Sequence, residues 1–576
     1  MIAPSSCKVW SGPTHWPDFL HPNATPYWSG LLAELHARVP FDGLWLDMNE
    51  PSNFCNGDDS DPLSSPPYRV NNGNRHAPLY KNTLPLTAVG YGGVRQYDAH
   101  NLYALAESRT TYGALQSILP GSRPFILTRS SWAGQGRYAA HWTGDNAASW
   151  DDLRRSVGGL LSSSLAGMAM AGADICGFMG ATSEQLCARW LAAGAFYTFA
   201  RDHSDLGSPP QEAYRLPAAA EAARNALRAR YTLLPYLYTA FHTAHTQGGL
   251  VARPLAWASP DPANQRVADL VSQWLLGDAL MVAPVLAPDT DWVEVHFPGP
   301  VHREAEAPAG GTWCKFGELG TCFTGPSQQL IHSPLGSAPP LFLRSGFIVP
   351  TQPSPQALTT AAVAGSPLTL TAVLSAAGSG SATSPEDDWV ASGCLYADNG
   401  TSVELGGPSS LQVAMSAGAS LGTGSGWFEY RVVAPPLAAT CRGQGHGTGG
   451  GGSTGGCRGR GVTGGVGGDS SGGVGGKGRA GEGEGEDEGA GVDVRRLRVD
   501  AVEVVGVPLL PGCPGLGVAV NGAPVPPEQV QLDMGSHVLY VRLLHLAAFQ
   551  SFRLTWQAQA APGPAGPAPE SGHEEV

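Results

Sequence analysis

The chain has 576 residues, 42% of them hydrophobic, and a formal net charge of −14. That is enough apolar material for a sizeable core and roughly three to four domains. An acidic balance without clustered Lys and Arg argues against a nucleic-acid binder, which must displace counterions, and no apolar run reaches the roughly 18 residues needed to span a bilayer.

The start of the chain, Met1 to Trp10, lacks the basic start followed by a long apolar stretch that marks an export signal. Residues 1–250 then read as alternating strands and helices. Short apolar runs occur at Leu44–Leu46, Phe125–Leu127, Tyr138–Trp142, Met168–Ala171 and Ala195–Phe199. Helices are expected between them at Asn101–Ile118, Trp150–Leu165 and Ser183–Ala193. Such alternation indicates parallel βα units. A longer helix is expected over Ala218–Gln247, with Leu227, Tyr231, Leu234, Tyr238 and Phe241 on one face. Pro235 should kink it, and Gly248-Gly249 should end it.

From residue 251 the texture changes to short strand-like runs among Pro, Gly, Val and Thr. Two β-sandwich domains are expected, a proximal one over 251–352 and a distal one over 353–556. Residues 441–492 are Gly-rich and then acidic, and cannot bury enough apolar surface to offset their ordering entropy, so a disordered insertion is expected. The tail 557–576, rich in Pro, Ala and Glu, is expected to be disordered as well.

Ten cysteines are few for this length. None has the Cys-x-x-Cys spacing of a zinc site, and neither a metal nor a cofactor is expected. Cys176 with Cys187, or Cys314 with Cys322, lies close enough in sequence to bridge in an oxidising compartment. Asn23-Ala-Thr25 and Asn399-Gly-Thr401 are glycosylation triplets. A Gly-rich phosphate loop after a strand is absent, which argues against a nucleotide enzyme.

The apolar runs of the first part end in residues able to do chemistry. Asp47 and Glu50 follow the first, Arg129 the second, Asp145 the third, Asp174 the fourth and His203 the fifth. In a (β/α)8 barrel the active site lies at the carboxyl ends of the strands, so five strands would deliver these groups to one mouth. One such Asp alone is more often a turn or cap residue; the repeated pattern is what carries the reading. Several carboxylates beside Arg, His and the flanking Trp45 and Trp142 suit glycoside hydrolysis. There one carboxyl attacks or activates water and another protonates the leaving oxygen, while aromatic faces stack on sugar C–H faces.

Trp45-Leu-Asp-Met-Asn-Glu-Pro-Ser-Asn-Phe54 resembles the signature of glycoside hydrolase family 31, in its acid α-glucosidase (maltase) group of plant and algal type. His141-Trp-Thr-Gly-Asp145, Gly172-Ala-Asp-Ile-Cys-Gly-Phe178 and Ala200-Arg-Asp-His-Ser204 resemble its further motifs. The resemblance implies a retaining hydrolase of terminal α-linked glucose in maltose, malto-oligosaccharides or starch-derived glucans, with an oligosaccharide as its partner. It implies Asp47 as nucleophile and Asp145 as general acid/base. It places Arg129 and His203 on the sugar, Trp45, Met48, Trp142 and Phe178 in the pocket walls, and Glu50 and Asp174 as supporting acids. It also implies a Cys176–Cys187 disulfide and a secretory, vacuolar, lysosomal or extracellular location. A family member carries an N-terminal β-sandwich and three barrel strands before its nucleophile strand. The expected fold is therefore α/β plus all-β: an incomplete (β/α)8 barrel of about five C-terminal βα units, followed by β-sandwiches, in an N-terminally truncated chain. The competing readings are a non-catalytic carbohydrate-binding remnant, and an α-xylosidase or glucan lyase of the same family.

Overall fold

The computed structural model describes residues 2–64, 66–67, 77–258, 267, 269–299, 301–303, 306–309, 311–376, 388–403, 405, 410–433, 496–507 and 515–559. The Gly-rich segment and the C-terminal tail singled out in the sequence lie outside the described residues.

A hairpin, β1 (Ile2–Val9) and β2 (Gly12–Trp16), opens the chain, turning at Gly12 with φ +102°. Helix α1 (Ala24–Arg38) leads into β3 (Gly43–Leu46). After a long loop come α2 (Gln96–Ala99) and α3 (Tyr103–Ile118), then β4 (Phe125–Thr128) and β5 (Ala140–Trp142). Helix α4 (Trp150–Leu165) precedes β6 (Ala171–Gly172) and β7 (Asp174–Ile175), and α5 (Glu184–Gly194) precedes β8 (Arg201–Asp202). Strands β3, β4, β5 and β6 form one parallel sheet in that order, and β7 pairs in parallel with β8. Five successive parallel segments are thus in place, with α-helices between all but β4 and β5, which a short 3-10 turn at Gln135–Arg137 separates. Among the described residues β3 pairs on one side only.

Local chemistry explains where the helices begin. Ser149 caps α4 by accepting from the Asp152 N–H, with Asp151 and Asp152 in the first turn. Ser183 caps α5 in the same way, followed by Glu184. Each cap satisfies an otherwise orphan donor, and the acids oppose the helix dipole.

Three expectations need correction. Ala195–Phe199 is not the fifth strand. Its backbone keeps turning after α5, through Phe196 N–H to Ala193 O at 3.0 Å and Tyr197 N–H to Gly194 O at 3.1 Å. Phe196 and Tyr197 are apolar because they fill the core, at 0% exposure, and the parallel pairing starts only at Arg201. The fourth strand likewise begins at Ala171 rather than Met168. The long helix divides into α6 (Pro217–Thr232) and α7 (Leu234–Gln247), with Pro235 at the first turn of the second, where a missing N–H costs nothing. Gly248 ends α7 with φ +81°.

The C-terminal part is all β. One six-stranded sheet runs from Glu318–Thr324 through Thr312–Lys315, Leu341–Arg344, Leu280–Val282 and Trp274–Leu276 to Ala252–Pro254. A larger sheet is centred on Trp389–Ala397, Leu411–Ser420 and Ser425–Val433, and burial alternates along the first six residues of each of the last two, as one buried face requires. Phe347–Thr351 pairs with Leu368–Val373 and Trp389–Ala397, so by hydrogen bonding it belongs to the larger sheet. The first core joins α4, α5 and α6 to strands of both sheets, and a second core fills the larger sheet. Two polar anchors fasten the barrel segment to the sheets. Arg189 on α5, 4% exposed, donates to Thr290 O, Ser333 O and Asp291. Arg123, just before β4, pairs with Asp398, which also accepts from Tyr238 on α7 and from Tyr396.

Candidate active site

Parallel pairing sets the site. β3 ends at Leu46, whose carbonyl still accepts from the Arg129 N–H at 3.1 Å, so Asp47 and Arg129 leave neighbouring strands at the same level. The backbone then bends sharply. Met48 takes φ +57°, uncommon for a residue with a side chain. The bend is held by Ser52 N–H to Met48 O and by Met48 N–H to Asp47 Oδ1, both 2.8 Å. The turn therefore aims the Asp47 carboxylate while the Met48 side chain stays 7% exposed.

Arg129 ties the acids together. Its Nε and Nη2 grip the two oxygens of Glu50 at 2.9 and 3.1 Å, a fork that fits a carboxylate in two bonds. Its Nη1 lies 3.0 Å from Asp47 Oδ1 and 3.9 Å from Asp145 Oδ1. These two oxygens are thus no farther apart than the sum of those distances. That admits the roughly 5–5.5 Å of a retaining carboxyl pair and leaves out most of the roughly 6.5–9.5 Å of an inverting one.

Asp145 follows β5 after Gly144, which turns with φ +83°. Burial raises its pKa above the usual carboxylate range, and the charges of Asp47 and Glu50 push the same way, against Arg129 and His203. Asp174, at the head of β7, is 1% exposed and pairs with Arg201 from β8. Burial pushes it up to about 6 even so.

An aromatic wall stands beside the acids. Trp45 meets Trp142 edge to face at 5.8 Å and His203 at 5.6 Å, and His203 lies 5.4 Å from Phe178. The Arg201 guanidinium sits over Trp45 at 5.4 Å and Trp142 at 5.1 Å, a cation–π contact that fixes both rings. Burial and the Arg201 charge lower the pKa of His203, which favours its neutral form. Phe178 is held by its own loop: Cys176 bonds to Cys187 on α5, and the Phe178 N–H donates to Asn146 O at 2.9 Å.

The ten residues expected at the site thus form three linked groups. Asp47, Glu50 and Asp145 meet on Arg129, with Met48 in the turn between two of them. Trp45, Trp142, Phe178 and His203 form the wall, and Asp174 joins it through Arg201. The second cysteine pair also bridges, Cys314 to Cys322 across a hairpin. Asn23 is exposed ahead of α1, whereas the Asn399 amide already donates to Ser402 Oγ at 2.6 Å. Two residues were missed. Arg201 lies inside the fourth motif beside His203, but its partners Trp45, Trp142 and Asp174 come from other strands, so no local signal marks it. Trp10, at the β1–β2 tip, is 82% exposed and packs edge to face on Phe54 at 4.9 Å. The Phe54 N–H bonds to Lys8 O at 3.0 Å, so the hairpin leans on the segment that follows Asp47. A cavity of about 780 Å³ opens at the amino ends of the strands, by Arg123, Phe125, Ala140 and Met170, and contains none of the expected site residues. Among the described residues no cluster of His, Cys, Asp or Glu fits a metal ion, and no helix is long and apolar enough to cross a membrane.

Comparison with known proteins identifies the family. Residues 3–240 match the glycosyl hydrolases family 31 TIM-barrel domain, and residues 248–349 match the family's C-terminal domain. A probable alpha-glucosidase of Oryza sativa subsp. japonica is 40% identical over 418 residues, covering 72% of this chain and 44% of that protein. Alpha-xylosidase 1 of Arabidopsis thaliana is 41% identical over 325 residues, covering 51% of this chain and 35% of that protein. The chain therefore spans less than half the length of these relatives. The solved glucosidase II alpha subunit superposes with a TM-score of 0.69 at 24% identity, covering 95% of this chain and 50% of that one.

Proposed function

The chain belongs to glycosyl hydrolase family 31, and from that premise we propose that it is a retaining α-glucosidase acting on terminal, non-reducing α-linked glucose. The observation that carries this reading is the single Arg129 nitrogen that reaches both Asp47 and Asp145. Asp145, its proton retained by burial and by the neighbouring acids, donates to the glycosidic oxygen as the bond breaks. Asp47, ionised and held by Arg129, attacks the anomeric carbon from the opposite face. The glycosyl-enzyme ester is then opened by water, from which Asp145 takes a proton. Neutral His203 and the guanidinium of Arg129 offer hydrogen bonds to sugar hydroxyls. Trp45 and Phe178 wall the glucose, with Trp142, 2% exposed, packed behind Trp45, and Trp10 with Phe54 offers an aromatic face beyond it. Malto-oligosaccharides and starch-derived glucans present such ends. Two disulfides accord with an oxidising compartment of the secretory pathway, whether vacuolar, lysosomal or extracellular, and exposed Asn23 is the better placed glycan acceptor.

The test is glucose release by the 576-residue chain from p-nitrophenyl α-glucoside and maltose. Asp47→Asn should remove turnover by at least about 10⁴-fold, as loss of a covalent nucleophile does, while the thermal midpoint stays within about 2 °C. Normal hydrolysis by that variant would sink the assignment. The similarity to an alpha-xylosidase supports a second reading. Preference for p-nitrophenyl α-xyloside over the glucoside would establish it in place of the first.

A further inference from the structure

Behind the turn that carries Asp47 lies a second layer of side chains that the mechanism does not use. Asn49, 1% exposed, donates through its amide nitrogen to Thr128 Oγ1 at 2.8 Å and accepts from the Ser130 N–H at 3.0 Å. It thereby locks the turn after β3 to the loop that carries Arg129. Glu107, on the inner face of α3, stands beside Asn49, whose amide favours its ionised form. One Glu107 oxygen, Oε2, is sealed from solvent and has no hydrogen-bond partner. The titratable groups acting across this space are Glu50 on the turn and Tyr103 one helical turn before Glu107. Asp18 acts on Tyr103, and His100 faces Glu50 from the start of the helix. His100 is itself fixed. Thr83 gives its only hydroxyl proton to Pro51 O at 2.6 Å, so at 3.1 Å His100 Nε2 donates to Thr83, and burial lowers the His100 pKa, which favours the neutral ring.

An ionised carboxyl with one oxygen sealed and unpartnered, on which Glu50 acts in the same sense as burial, is a costly state, and taking up a proton relieves it. We propose that Glu107 is a positioning residue of the catalytic turn, holding Asn49 and through it the Asp47–Glu50 geometry, and that it does so as the neutral acid. Ionisation of Glu107 would add a negative charge behind Glu50 and loosen the Glu50 grip on Arg129. Burial supports this protonated state, pushing the group up to about 7. The site would then work best at acidic to neutral pH for a reason separate from the proton on Asp145. The proposal rests on the α-glucosidase reading for its catalytic consequence, but the proton on Glu107 is testable without it.

Two measurements on the full chain separate the points. The first is the thermal midpoint against pH for the unsubstituted chain and Glu107→Gln. A carboxyl whose folded pKa lies above its unfolded value makes the fold lose stability as pH rises from the unfolded to the folded pKa. The amide has no such dependence, so the variant should gain about 2–5 °C on the unsubstituted chain between pH 4.5 and 8. Parallel curves overturn the proposal. Glu107→Met, of similar length, repeats the test should the amide variant not fold. The second is binding of 1-deoxynojirimycin, read by calorimetry. Glu107→Ala should weaken it at least about tenfold, and Glu107→Gln should recover most of that loss. Equal weakening by both means that a charged carboxylate is required, which overturns the neutral acid. Diverging melting curves, with no binding even by the unsubstituted chain, would uphold the proton on Glu107 and remove the α-glucosidase reading instead.

Discussion

Arg129 stands among three carboxylates, and removing it separates its two effects. Its charge draws Asp145 toward the ionised form, so Arg129→Met should raise the Asp145 pKa and move the basic limb of kcat/KM to higher pH. The same change strips Asp47 and Glu50 of their shared cation, and turnover should fall about 10²–10³-fold, the usual cost of losing one aligned charged donor. A pH–rate profile in which the basic limb stays put or moves to lower pH would contradict the assignment of Asp145 as the acid. Asp47 and Asp145 could be singled out in the sequence because long motifs surround them. Arg201 was harder to find, since its partners Trp45, Trp142 and Asp174 come from three other strands and nothing local links them. Glu107 was harder still. It sits in a helix of ordinary amphipathic pattern, and only the fold reveals that its face lies beneath Asn49.

The elements of the barrel were read from apolar runs, and that reading succeeded where a run and a strand coincide, as at Leu44–Leu46 and Phe125–Leu127. It failed at Ala195–Phe199 because an apolar run records burial, not backbone state. Phe196 and Tyr197 are buried by a tight turn leaving α5, and the strand is the polar pair Arg201–Asp202. Close packing also limits the loop that holds Phe178. Gly177 takes φ +95°, and a Cβ there would lie 2.3 Å from Ala148 Cα. Gly177→Ala should cost about 2–4 kcal/mol, the sum of a left-handed backbone and an overpacked contact. Because the neighbouring Cys176 and Phe178 move with it, KM should rise together with the fall in thermal midpoint. A variant with unchanged midpoint would mean that this loop yields more readily than its contacts imply.

Across the molecule, the sequence disclosed β texture after residue 250 but not which strands pair, since pairing partners lie far apart. Ser425–Val433 joins Phe552–Ala558, and Leu368–Val373 joins Arg498–Val505 in parallel. The join between the barrel segment and the larger sheet was likewise invisible. It rests on Asp398, 5% exposed at its side chain, which serves Arg123, Tyr238 and Tyr396 at once. Asp398→Ala leaves the Arg123 charge without its carboxylate and should cost about 3–5 kcal/mol. Urea unfolding should then resolve into two transitions, with the larger sheet outlasting the barrel segment. One unbroken transition at the original midpoint would show that the apolar cores alone couple the two parts.

The same junction sets a clock on the growing chain. Arg123 and Asp398 are separated by 275 positions, which at about 5–20 residues per second take roughly 15–55 s to synthesise. For that interval the amino end of β4 has been made while Arg123 lacks its carboxylate and the cavity beside it lacks the wall that Tyr396 and Leu405 supply. A nascent chain halted before residue 398 should therefore present this end of the barrel to chaperones, and one released after it should not.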